Sequence, residues 1–137
     1  MVIKEIQIPI SSVEKAEFNQ MIDKLLRNII KLMSKSIGSD NAVSPEEMFE
    51  YVYGVNPNTM NSFKRQYYWT FLRKILRELR KKEILFVVIR KNKVFVLKTQ
   101  EELKDYNKFI DRTIQSLKDV QAKATRWVNN ESYKKFK

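Results

Sequence analysis

The sequence predicts a fold that is mainly α with a small β-hairpin (α+β). Three observations carry that expectation. Apolar residues recur at helical spacing in four separate stretches, with Ser, Thr, Pro and Gly punctuating them. Two β-branched, aromatic-rich runs flank a two-residue polar break late in the chain, the pattern of a hairpin. At 137 residues the chain is long enough for one domain with a helical extension, and its two glycines, three prolines and 43% hydrophobic residues argue against a disordered chain.

Met1 to Ile10 alternates apolar and polar residues and includes Glu5, so it lacks the apolar run of a signal peptide. Residues 1–12 read as an N-terminal arm or short strand of a cytoplasmic protein. Ser11, with Glu14 three residues on, is a capping box. Phe18, Ile22, Leu25, Ile29, Leu32 and Met33 then keep the helical period, and Gly38 supplies a stop, so the first helix is expected over about Val13 to Ile37. Asn41 to Val43 is too short to assign. Ser44-Pro45-Glu46-Glu47 combines an N-cap with proline at the first helical position and opens a second helix to about Tyr53, ended by Gly54. Val55 to Asn58 is a turn.

The third helix ends near Lys82. Tyr68, Leu72, Ile75 and Leu79 share one face, and Gln66, Thr70, Arg73, Lys74, Arg77 and Lys81 share the other. A straight extension back to Asn61 places Lys64 and Arg65 on the apolar side, so a break or bend is expected near Phe63 to Gln66 unless that turn overhangs the core. Ile84 to Arg90 and Lys93 to Lys98 form the expected hairpin around Lys91-Asn92. Thr99-Gln100-Glu101-Glu102 is another capping box. It opens a last helix to about Asn129, followed by a basic, frayed tail from Ser132. Leu103, Ile110, Leu117 and Ala124 are seven apart, and Tyr106, Val120 and Trp127 keep a second register that Thr113 interrupts. This imperfect heptad pattern is the expected dimerisation element.

Composition excludes much chemistry. The chain has no Cys and no His, which removes disulfides, Cys/His zinc sites, thiol nucleophiles and histidine acid–base work. Two glycines cannot build a phosphate-cradling loop. No carboxylate pair stands out, and the acidic residues sit mainly at helix starts, where capping explains them. No enzyme activity, metal, cofactor or small-molecule ligand is implied, and no stretch suggests a membrane partner.

Charge is the informative quantity. The net charge is +11, but residues 1–60 carry −2, residues 61–98 carry +10 and residues 99–137 carry +3. One sign concentrated in a folded stretch is the footprint of a polyanion partner.

The order of elements, helix, short extended piece, helix, turn, helix, hairpin, helix, resembles the winged helix-turn-helix family. The resemblance rests on Ser44-Pro45-Glu46-Glu47-Met48-Phe49, on Gly54, on the run from Phe71 to Leu85 and on the hairpin Phe86 to Leu97. It implies a winged-helix DNA-binding domain over residues 13–98, long N- and C-terminal helices, and a separate element over residues 99–137. Glu83 stands where the family usually has glycine, and the stretch from Gly54 to Ile84 is several residues longer than usual. The last helix is similar to the dimerising helices of archaeal winged-helix chromatin proteins. The Lys/Ile-rich composition looks like small regulators from archaeal viruses.

By that resemblance the third helix enters a major groove and the hairpin, the wing, touches flanking phosphates. Gln66, Thr70, Arg73, Lys74, Arg77 and Lys81 are the candidate groove residues. Lys64 and Arg65 before them are candidates for phosphate contact or a solvated linker. Arg90, Lys91, Asn92 and Lys93 are the candidates at the wing tip. The expected function is a homodimeric, sequence-specific transcriptional regulator of double-stranded DNA, in the cytoplasm or nucleoid (host cytoplasm if viral). The alternatives are a chromatin-like or replication-associated DNA-binding protein and a winged-helix protein-interaction module. Tyr67, Tyr68 and Trp69 could instead stack on single-stranded bases, and the last helix could fold back on the first.

Overall fold

The computed structural model describes residues 21–136. The expected arm, the Ser11 capping box and residues 13–20 of the first helix lie outside them. The described chain forms two compact units that meet at Lys98 and Thr99.

Among the described residues the first unit contains three α-helices and a hairpin. Helix α1, Ile22–Met33, buries Leu25, Leu26, Ile29 and Met33 along one stripe. It ends four residues before the expected Ile37. The reason is local competition followed by a long-range pairing. The Ser34 hydroxyl donates to the Lys31 carbonyl (2.9 Å) and the Ser36 hydroxyl to the Leu32 carbonyl (3.1 Å). The Ser36 carbonyl then accepts from the Val96 N–H (2.9 Å), which draws the chain out of the helix. Gly38, at φ 82°, lies beyond this departure and leads into a 3-10 turn, Ser39–Asn41.

Helix α2, Pro45–Tyr53, has the expected bounds. Ser44 and Glu47 form the reciprocal capping box (3.1 and 3.3 Å), and Gly54 closes the helix at φ 74°, a conformation costly for a residue with a side chain. Asn28 ties α1 to its end by donating to the Val52 carbonyl (3.1 Å). A 3-10 turn, Pro57–Thr59, follows.

Helix α3, Ser62–Lys81, is continuous, so the bend expected near Phe63 to Gln66 is absent. Asn61 caps it by accepting from the Lys64 N–H (2.8 Å). The first turn overhangs the core: Phe63 and Lys64 are exposed, while Phe71, Leu72, Ile75, Leu76 and Leu79 are buried. These pack with the α1 stripe, with Met48 and Val52 of α2, and with Val87 and Val94 of the hairpin, into one core.

At the end of α3, Glu83 sits at φ 54°. The N–H groups of Ile84 and Leu85 turn back to the Leu79 carbonyl (3.0 and 3.4 Å). Ile84 and Leu85 thus finish the helix instead of starting the strand. The hairpin is consequently shorter than expected, β1 over Val87–Arg90 and β2 over Lys93–Val96, antiparallel in the register Val87↔Val96 to Arg90↔Lys93. Lys91 (φ 52°) and Asn92 (φ 63°) both take left-handed geometry, the mirror-image turn that matches strand twist. The segment before α2 lies against the other edge of β2. Val43 bridges Val94 in antiparallel sense and Ile37 bridges Val96 in parallel sense.

The second unit is helix α4, Gln100–Asn129, with Thr99 and Glu102 forming its capping box (both bonds 3.1 Å). Thirty residues make a rod of about 45 Å. None of its residues is fully buried. The tail, expected to fray, forms a 3-10 segment, Ser132–Phe136. The Lys135 ammonium lies 5.0 Å from the Trp127 ring centroid, and the Phe136 ring lies 6.2 Å from it, which holds the tail against the helix. Among the described residues no helix is long and apolar enough to cross a membrane.

Candidate nucleic-acid interface

The side of α3 turned away from the core is set by the buried stripe. Because Leu72, Ile75 and Leu79 face inward, residues half a turn away face out. Gln66, Arg73, Arg77 and Lys81 are exposed there, and Thr70 and Lys74 are half-buried at its margins. Lys64 is exposed and Arg65 half-buried in the overhanging first turn.

Several of these side chains are held by their neighbours. The Arg73 guanidinium lies 5.7 Å from the Trp69 ring centroid, and the Lys64 ammonium lies 5.6 Å from that of Tyr68. The Thr70 hydroxyl donates to the Gln66 carbonyl (2.9 Å), so its hydrogen is engaged within the helix. Lys81 makes a loose ion pair with Glu78 (3.7 Å), whose burial beneath the basic run leaves the exposed face positive. Arg80 has a different role. Its guanidinium donates to the Val87 carbonyl (3.3 Å) and lies 5.9 Å from the Phe86 ring centroid, clamping α3 to the hairpin.

The aromatic run in the middle of α3 packs on α2. Trp69 lies 5.0 Å from Phe49 and Tyr68 4.7 Å from Tyr53, and the Tyr53 hydroxyl donates to the Tyr68 carbonyl (2.7 Å). Burial, and then the neighbouring Tyr68, push the Tyr53 hydroxyl well above the ordinary tyrosine range. These rings therefore position α3 and are poorly presented for base stacking.

At the hairpin tip Lys91, Asn92 and Lys93 are exposed and Arg90 is half-buried. The turn geometry places three polar residues in a row beyond the last buried hairpin positions, Val94 and Phe95.

Phe63 is the site residue that the sequence reading passes over. It is 85% exposed at the second position of α3. At about 100° per residue it continues the face of Gln66, Thr70, Arg77 and Lys81. The expected bend hides this alignment. The signal that restores it is Asn61, a good N-cap residue, three positions before Lys64.

On α4 the expected dimerisation residues divide by exposure. Leu103, Tyr106 and Ile110 are half-buried, while Leu117, Val120, Ala124 and Trp127 are exposed. Ile114, Phe109 and Val128 widen the exposed apolar stripe. With Leu103 at heptad position a and Tyr106 at d, every charged residue from Leu103 to Ala122 lies outside positions a, d, e and g.

Among the described residues no cluster of acidic side chains could hold a metal ion. No family model matches the chain, and no curated protein or solved structure matches it.

Proposed function

We propose that this chain is a double-stranded DNA-binding protein of the winged helix-turn-helix type, acting as a homodimeric, sequence-specific transcriptional regulator. One observation carries the reading. The exposed face of α3 combines guanidinium, ammonium and amide groups, and the same unit ends its hairpin in a second exposed basic tip. Arg can bond both acceptors of a guanine edge, and Gln can bond an adenine in the same bidentate way. Lysines on a turn neutralise phosphates and release counterions, which gives affinity and register without sequence information.

In this reading α3 lies in the major groove with Gln66, Arg73 and Arg77 toward base edges. Lys64, Arg65 and the hairpin tip meet flanking phosphates. Helix α4 joins two copies through its apolar stripe, so that two basic units engage two half-sites and the linkage multiplies affinity. The Trp69 and Tyr68 contacts to Arg73 and Lys64 support this assignment, because a side chain already held loses less rotamer freedom on binding.

The test is selection of bound sequences from a random duplex pool. An enriched, two-fold symmetric sequence is expected. Tight binding without enrichment would replace the regulator by a chromatin-like protein. No binding at low salt would leave a protein-interaction module.

A further inference from the structure

The most exposed large apolar side chain among the described residues of the first unit is Phe63, and its place on α3 gives it a chemical meaning. Tyr67, Tyr68 and Trp69 of the same helix are half-buried and Phe71 is buried, each turned toward the core. Phe63 alone of these aromatics stands in solvent, one turn ahead of Gln66 and two turns ahead of Thr70 on the outward face. The turn that carries it is firmly built, since Asn61 caps the helix at 2.8 Å. The ring is therefore presented by a fixed backbone at the leading end of a basic face.

A DNA major groove contains one apolar feature, the C5 methyl of thymine. Cytosine offers an amino donor in the same groove, which a phenyl ring cannot satisfy, and the minor groove contains no methyl at all. An apolar ring on a face otherwise made of Gln, Thr, Arg and Lys fits a thymine edge and gains nothing from a phosphate. We infer that Phe63 is a specificity-determining residue that packs on thymine methyl groups at one end of each half-site. The inference rests on the DNA-binding reading above and narrows it to targets with thymine at that position.

The experiment uses the full chain and its selected duplex. Thymines are replaced one at a time by deoxyuridine, which deletes only the methyl, and affinity is followed by fluorescence anisotropy for the wild type, Phe63→Ala and Phe63→Leu. Each methyl in contact should be worth about fourfold in affinity. The wild type should lose about that factor at one or two thymines and nothing elsewhere. Phe63→Ala should bind the parent duplex more weakly and become indifferent to uracil at those same positions. Phe63→Leu should keep part of the difference. The exposure of Phe63 means that both variants keep the core intact.

A uracil effect that persists unchanged in Phe63→Ala, or its absence from the wild type, would overturn the inference while leaving DNA binding in place. A Phe63→Ala loss that is equal for every sequence and insensitive to methyls would instead identify the ring as a wedge between base pairs, and would overturn it too. No duplex binding by the wild type would overturn the DNA-binding reading itself.

Discussion

The guanidinium of Arg73 rests over the indole of Trp69, 5.7 Å from its centroid, and that indole rests in turn on Phe49 at 5.0 Å. An exposed basic side chain is thus braced through one ring against the core of the first unit. In the proposed complex this makes Arg73 a reader of bases. Arg73→Ala and Arg77→Ala should each cost about 1–3 kcal/mol on a selected duplex and much less on a scrambled one. Trp69→Leu should reproduce part of the Arg73 loss without removing a charge. Equal losses on both duplexes for all three variants would reduce the face to a non-specific one.

Salt separates the hairpin tip from the helix. Log affinity should fall linearly with log salt concentration, and Lys91→Ala or Lys93→Ala should reduce that slope by about one while weakening all sequences alike. Titrations at four or five salt concentrations measure this directly. A flat wild-type response would contradict the assignment of the +10 segment to phosphates.

The proposed dimer has an orientation that can be tested. Antiparallel pairing of two α4 helices about Gln115 sets Leu103 opposite Trp127, Tyr106 opposite Ala124, Ile110 opposite Val120 and Thr113 opposite Leu117. Large side chains then meet smaller ones, whereas parallel pairing sets Trp127 against Trp127 and Ala124 against Ala124. Residues 100–114 carry −1 and residues 115–129 carry +2, which also favours opposite directions. Because the chain lacks cysteine, Tyr106→Cys with Ala124→Cys should cross-link cleanly and neither single variant should. Cross-linking by both single variants would mean a parallel pair. Truncation before Thr99, at the boundary of the two units, should leave a folded monomer that binds DNA more weakly.

Alkaline pH should loosen the first unit. Tyr53 ionises above its ordinary value of 10.0, so below that value it is neutral whether the chain is folded or unfolded. Above it the unfolded chain releases the proton more readily than the folded one, and stability falls as pH rises. Urea midpoints at pH 8 and pH 11 measure the loss. Tyr53→Phe should remove much of that pH dependence, and at pH 8 should cost about 1 kcal/mol for the bond to the Tyr68 carbonyl.

A last expectation concerns the backbone. Glu83 holds φ 54°, a geometry that costs a residue with a side chain about 1 kcal/mol or more. Glu83→Gly relieves it, partly offset by the entropy that glycine brings to the unfolded chain, so the thermal midpoint should rise by a few degrees at most. A lowered midpoint would mean that the Glu83 side chain contributes to the fold.

How legible these features are in the sequence follows from how local their causes are. The bounds of α2 and α4 can be read directly, because Ser44 with Glu47 and Thr99 with Glu102 are short-range devices. The end of α1 cannot, because the chain leaves that helix to meet Val96, some sixty residues away. The start of α3 is misread for a different reason. Lys64 on an apolar flank looks prohibitive until its ammonium is seen over the Tyr68 ring, in a turn that projects past the core. The basic face and the hairpin tip are legible from periodicity alone. Phe63 is not, since apolar residues are ordinarily assigned inward. Arg80 shows the converse, a member of the basic run whose charge is used between helix and hairpin.

The pairing of Val43 with Val94, through reciprocal bonds of 2.7 and 3.0 Å, has a kinetic meaning. It gives β2 a partner on the edge away from β1, one residue behind Lys93, so the hairpin is held close behind its exposed tip. Such an element keeps its aim during a diffusional encounter. A partner arriving at the Lys91–Lys93 tip would meet a preset orientation, with little searching by the loop after contact. Capture by the tip would then be governed by long-range attraction and collision geometry. Loosening the grip, for example with Val43→Gly, would slow the approach to the bound state more than it hastened escape from it.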